Sequence, residues 1–181
     1  MDKATQNLEN DHVFIVKLTD IILSMVEKQS TNTDHFDLII NLIRNFADGT
    51  HHAKEEGFLF PLMGEKGFSP EFGPVAVMLH EHEQGRNYVK AAVEAIQKYK
   101  TGNEAALQTV YENLSGYAYL LQNHIDKENN ILFRMADEVF SNAEQQNMLL
   151  QFTDVENNVD REFNPENSKQ KIDTLAGIYL Q

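Results

Sequence analysis

His12 is followed forty residues on by His52-Ala-Lys-Glu-Glu56, and His82 is followed forty-two residues on by His124-Ile-Asp-Lys-Glu128. The chain therefore repeats one unit, H…HxxxE. In an α-helix, residues four apart lie on one face a turn apart, so each closing pair can aim an imidazole and a carboxylate at one point. Two such pairs and two further histidines amount to four nitrogen and two carboxylate ligands. Imidazole together with hard carboxylate suits iron, and carboxylates able to bridge suit two metals rather than one. The expectation is a non-haem di-iron centre held by His12, His52, Glu56, His82, His124 and Glu128.

Apolar residues recur at helical spacing along the chain, and no stretch alternates with period two, so the protein is expected to be all-α. One helix covers roughly residues 8–28. Asn32 or a neighbouring threonine caps a second over about 34–56 or a little beyond. Pro61, Gly64, Gly67, Pro70, Gly73 and Pro74 mark residues 57–74 as a crossover. A third helix follows over about 75–99 and a fourth over 104–137. Residues 1–140 then form an up-and-down four-helix bundle with ligands converging in its core. Residues 141–181 form a C-terminal helical extension, opened by the capping box Ser141-Asn-Ala-Glu144. Its Leu149, Leu150, Phe152, Leu175, Ile178 and Tyr179 suffice to dock it on the bundle or on a partner.

Helical register sorts the seven histidines. His82 shares a stripe with Val75, Met78, Gly85, Val89 and Ile96, whereas His80 is rotated about 200° from it and falls on the surface. Leu107, Val110, Leu114, Tyr117, Leu121, His124, Glu128, Ile131 and Met135 make one inner line on the fourth helix. His52 and Glu56 share a face with Leu38, Leu42, Asn45 and Gly49. His51, one position from a ligand, points elsewhere. His35 lies about 25 Å along the axis from His52 and is a helix-start residue. Burying two carboxylates and four imidazoles without a partner is costly, and bound cations offset that cost.

A formal charge of −13 argues against nucleic acid, which needs clustered Lys and Arg, and against an anionic membrane surface. No apolar run approaches the ~20 residues that span a bilayer, and the N-terminus lacks the layout of a secretion signal, so a cytoplasmic protein without membrane insertion is expected. The absence of cysteine excludes disulfides, thiolate-bound zinc and iron–sulfur clusters. Redox chemistry must then run on a metal or a bound cofactor.

The motif, with Phe46-Ala-Asp-Gly-Thr-His-His-Ala-Lys-Glu-Glu56, Leu59-Phe60-Pro61 and Val77-Met-Leu-His-Glu-His82-Glu-Gln-Gly-Arg86, resembles the hemerythrin-like HHE domain family over about residues 8–137. The resemblance implies a four-helix bundle around two irons with an oxo or hydroxo bridge. It makes His12, His52, His82 and His124 terminal ligands and Glu56 and Glu128 bridging ones. Oxygen-carrying hemerythrins have a fifth histidine one turn after the third-helix ligand and an aspartate in the last motif. Here Arg86 and Glu128 stand at those places, which leaves open coordination positions. The ferritin-like pattern needs two E-x-x-H motifs, and only Glu9-x-x-His12 has that form.

The function read first is binding or sensing of a small diatomic ligand, oxygen or nitric oxide. The alternatives are a catalase-like enzyme acting on peroxide or a nitric-oxide reductase, and a protein that stores or donates iron. Tyr117, two turns before His124, is either a core tyrosine or a hydrogen-bond partner for a ligand at the irons. Arg86 pairs either with a carboxylate near the site or at the helix surface. Metal-bound histidines usually donate their second nitrogen to an acceptor. Asp11, Glu55 and Glu81 adjoin ligands in sequence but face elsewhere on their helices, so none is given that role.

Overall fold

A computed structural model describes residues 3–181, which are helical apart from connecting turns and carry no strand. Met1 and Asp2, part of the stretch read as lacking a secretion signal, lie outside the described residues. Helix α1 (Ala4–Glu27) buries Leu8, His12, Ile15, Leu18, Ile22 and Met25, the three-to-four spacing of an amphipathic helix. Asn32 caps α2 (Thr33–Leu42), its side chain accepting from the backbone N–H groups of Asp34 and His35.

The run begun by α2 does not stop at 56. It passes through π-helical turns at Ile43–His52 and Glu55–Leu59 and ends as α3 (Phe60–Glu65). The crossover is accordingly shorter than punctuation suggests. Pro61 lies in the first turn of α3 directly after a π-turn, where the wide i→i+5 geometry relieves the clash and the lost bond that proline brings to a regular helix. Gly73, at φ 83°, turns the chain into Pro74, the first residue of α4 (Pro74–Lys100). Gly102, at φ 98°, makes the turn towards α5 (Ala106–Lys127). A π-turn at Glu128–Leu132 leads into α6 (Phe133–Val139).

The capping box at Ser141 and Glu144 is present and starts α7 (Asn142–Asn157). Asn164 caps α8 (Pro165–Tyr179), which therefore begins before Lys169. Helix α4 lies along α5, α5 along α1, and α2 against α4, while α7 and α8 both pack on α1. Phe152, Ile172, Leu175 and Tyr179 of the last two helices are buried, and Leu150 and Ile178 face outward. No described helix is long and apolar enough to cross a membrane.

The apolar interior is in two parts. One contains Ile15, Ile22, Phe36, Phe46, Val89, Leu114 and Leu121. The other contains Leu8, Leu59, Met78, Leu132, Phe133 and Phe152. On each of α1, α4 and the run from α5 to α6, the polar residues His12, His82, and His124 with Glu128 fall between members of the two parts. That polar layer is the candidate site.

Candidate metal centre

Four helical runs deliver seven buried groups. Helix α1 supplies His12, α4 supplies His82, and α5 with its following π-turn supplies His124 and Glu128. The run after α2 supplies His51, His52 and Glu55. The structure thus brings together five of the six residues read from sequence and adds His51 and Glu55.

Glu56 is the sixth, and the structure does not bring it into this group. Its side chain is 30% exposed and lies outside the cluster, whereas Glu55 is fully buried within it. Regular α-helical register would part His51 from His52 by about 100°. The π-turns widen the helix at this point, and both histidines face inward. Gly49 permits this: a Cβ there would sit 2.8 Å from the Arg44 carbonyl oxygen, five residues back. The same effect rotates the end of the fourth run, where Leu132 is buried and Ile131, expected inside, is 52% exposed. The doublets His51-His52 and Glu55-Glu56 were the available signal, since they allow two H-xxx-E registers.

The seven groups divide into two sets whose ligand atoms lie within 4.8 Å of one another: His52, Glu55, His82 and His124 in one, His12, His51, Glu55 and Glu128 in the other. His82 Nε2 is 3.0 Å from His124 Nε2, and His12 Nε2 is 2.9 Å from His51 Nε2. The carboxylates join the sets. Glu55 places one oxygen 3.5 Å from His51 Nε2 and the other 3.5 Å from His82 Nε2. Glu128 places one 3.3 Å from His12 Nε2 and the other 3.1 Å from His124 Nε2.

Around this layer lies a ring of acceptors for the outer imidazole nitrogens. His12 Nδ1 is 2.6 Å from Asn129 Oδ1, His52 Nδ1 3.2 Å from Asp48, His82 Nδ1 2.7 Å from Glu56 and His124 Nδ1 2.9 Å from Glu81. Each of these acceptors favours Nδ1–H and turns the Nε2 lone pair inward. Three of them are carboxylates, so the expectation that Glu81 has no such role is corrected. Glu81 serves His124 on the facing helix, and sequence adjacency to His82 is irrelevant. Asp11 is 3.8 Å from His51 Nδ1, beyond a hydrogen bond. Arg86 donates to Asp48 at 2.8 Å and to Glu56 at 2.7 Å, so it pairs near the site.

The residues fit a pair of cations. Among the described residues, His52 Nε2 and both oxygens of Glu55 and of Glu128 have no hydrogen-bond donor, and each pair of Nε2 atoms facing at 2.9 and 3.0 Å can share only one proton, whereas a cation would engage both nitrogens. Protons alone distribute unevenly here. Burial, and then the Glu128 charge, push the Glu55 carboxyl well up. Burial opposes ionisation of Glu128 too, but His124 and His12 outweigh it and hold that carboxyl well down. Burial lowers His51 to about 4, with His12 adding to the effect. For His124, burial is outweighed by Glu128 and Glu81, which raise it to about 9.

Comparison with known proteins gives this chemistry a family. The model of the hemerythrin HHE cation binding domain matches residues 3–136. The chain belongs to the hemerythrin HHE family. An uncharacterised protein of Mycobacterium tuberculosis H37Rv is 23% identical over 137 residues, which cover 76% of this chain and 52% of that protein. Iron-sulfur cluster repair protein YtfE of Pectobacterium atrosepticum is 34% identical over 93 residues, 48% of this chain and 40% of YtfE. YtfE of Escherichia coli strain HS is 29% identical over 89 residues, 48% of this chain and 40% of YtfE. The chain spans about half or less of the length of these curated relatives.

In this hemerythrin-family chain, one of the two residue sets adjoins a cavity of about 130 Å³. His52, His82 and His124 line it, and His12 and His51 do not. Its walls include Ile43, Val89 and Leu121, and Tyr117 lines it close to Gly85. The Tyr117 hydroxyl is buried without a hydrogen-bond partner among the described residues, and burial pushes its ionisation far up. Of the remaining histidines, His80 is exposed, as expected. His35 stands at the start of α2, with Nδ1 2.5 Å from the Tyr179 hydroxyl.

Proposed function

We propose that the chain is a non-haem di-iron protein, a four-helix bundle with a C-terminal helical extension, that binds or senses a small diatomic ligand, oxygen or nitric oxide. Its ligands are His52, His82 and His124 for one iron and His12 and His51 for the other, with Glu55 and Glu128 bridging. The observation that carries this reading is the bridging placement itself: each carboxylate offers one oxygen to each nitrogen set. Imidazole with carboxylate suits iron; the three-histidine set would offer five donors and the two-histidine set four, so a bridging oxygen would complete six on the first and leave one position open on the second. Iron in such a site supplies reversible ligand coordination and one-electron redox change, with an oxo or hydroxo bridge as part of the same reading. The protein's part is to hold the imidazoles by their Nδ1 acceptors and to keep the polar layer dry between two apolar regions.

The test is metal content by mass spectrometry on protein purified without added metal or chelator. Close to two irons per chain are expected in the wild type. Glu55→Ala should fall to one or none, whereas Glu56→Ala should keep both. The opposite pattern would restore Glu56 as the ligand and remove Glu55.

A second reading, iron donation, is favoured by the name of the YtfE relatives, iron-sulfur cluster repair proteins. Saturable nitric oxide binding with iron retained against a ferrous chelator supports the first reading. Rapid loss of iron to the chelator supports the second.

A further inference from the structure

The cavity beside His52, His82 and His124 is larger than a diatomic ligand requires. Its volume of about 130 Å³ compares with roughly 30 Å³ for one water in the liquid. Its charges are also unevenly spent. Arg86 is taken by Asp48 and Glu56, and Glu81 by His124 and Lys127. Arg44 and Lys90, both exposed where the cavity reaches the surface, make no ion pair among the described residues. In a chain of formal charge −13, this leaves a locally cationic entrance. Tyr117 lies in the same cavity, 3% exposed, and its hydroxyl finds no acceptor among the described residues. A buried hydroxyl left unpaired costs free energy, which an incoming acceptor would recover.

We propose that this cavity binds a small polyatomic anion of the size of nitrite, admitted past Arg44 and Lys90 and held by a hydrogen bond from the Tyr117 hydroxyl against the three-imidazole face. The inference deepens the di-iron reading and rests on it, because the metal-bearing face is the floor of the site. Unpaired cations at the mouth of a cleft with apolar walls raise the local concentration of anions and do little for a neutral diatomic. Apolar walls at Ile43, Val89 and Leu121 exclude competing water and strengthen the hydrogen bond at Tyr117. Selection between charged and neutral ligands thus resides in residues that touch no metal.

The experiment is calorimetric titration of iron-loaded protein with nitrite, with iron content determined for every sample. Wild type is expected to bind nitrite with an affinity that weakens as ionic strength rises. The double variant Arg44→Glu, Lys90→Glu should weaken nitrite about tenfold while its nitric oxide affinity stays within about twofold. Tyr117→Phe, which removes one oxygen from a core ring, should weaken nitrite about fivefold. Unchanged nitrite affinity in both variants, or no nitrite binding by wild type that holds close to two irons, would overturn the proposal. A wild type that refuses iron would bring down the di-iron reading, and this one with it.

Discussion

Lys54 shows how far a single residue can depart from its appearance in sequence. Set in the polar run His-Ala-Lys-Glu-Glu, it is fully buried, and its ammonium donates to Asn7 Oδ1 at 3.0 Å, Asp11 Oδ2 at 2.9 Å and Glu156 Oε1 at 2.5 Å. Those acceptors come from α1 and α7, so the residue next to Glu55 ties both helices to the ligand-bearing run. Asp11 is served from the other side by Lys169 of α8, at 3.2 Å. Burial would raise the Asp11 carboxyl, but His51 and Lys54 outweigh it and hold it far down. Removing one partner of a buried charge group costs more than the pair contributes, since the remaining charge stays desolvated. Lys54→Met should therefore lower stability by about 3 kcal/mol, measured by urea unfolding. A loss within experimental error would mean that Lys169 alone satisfies Asp11.

At the scale of elements, the legible helices were those with regular geometry. Along α4, Val75, Met78, His82, Gly85, Val89 and Ile96 are buried at the positions that periodicity assigns. The other two motif-bearing runs contain π-turns, and there the register slipped: Glu55 for Glu56, His51 added to His52, Leu132 for Ile131. Pattern matching assumes 3.6 residues per turn throughout, and a single π-turn rotates everything beyond it. Gly49 is the local mark of such a turn, because any side chain there would meet the Arg44 carbonyl. Gly49→Ala should force the segment back towards α-helical register and turn His51 and Glu55 out of alignment. Iron content below two per chain is the expected result, with little change in far-ultraviolet helicity; full iron loading would show that the turn adapts.

For the whole molecule, the polar layer divides the apolar interior, so occupation of the site and stability are linked. Ligand that binds only the folded chain stabilises it, by about 2.7 kcal/mol at one hundred times its dissociation constant. Chelation of iron should lower the melting temperature, and restoring ferrous iron without oxygen should recover it; an unchanged melting temperature would mean that the hydrogen-bond ring holds the layer alone. Apolar periodicity determined from sequence alone an all-helical chain, and the spacing of histidines and glutamates pointed to a metal site and carried the resemblance to the hemerythrin HHE family, because i,i+4 geometry and ligand chemistry are local properties. The docking of α7 and α8 on α1, the reach of Glu81 across to His124, and the burial of Glu55 among the histidines with Glu56 outside them were decided only in the tertiary structure. Each depends on where one helix's surface meets another's and on how a π-turn rotates a side chain, and a repeat of four residues carries neither.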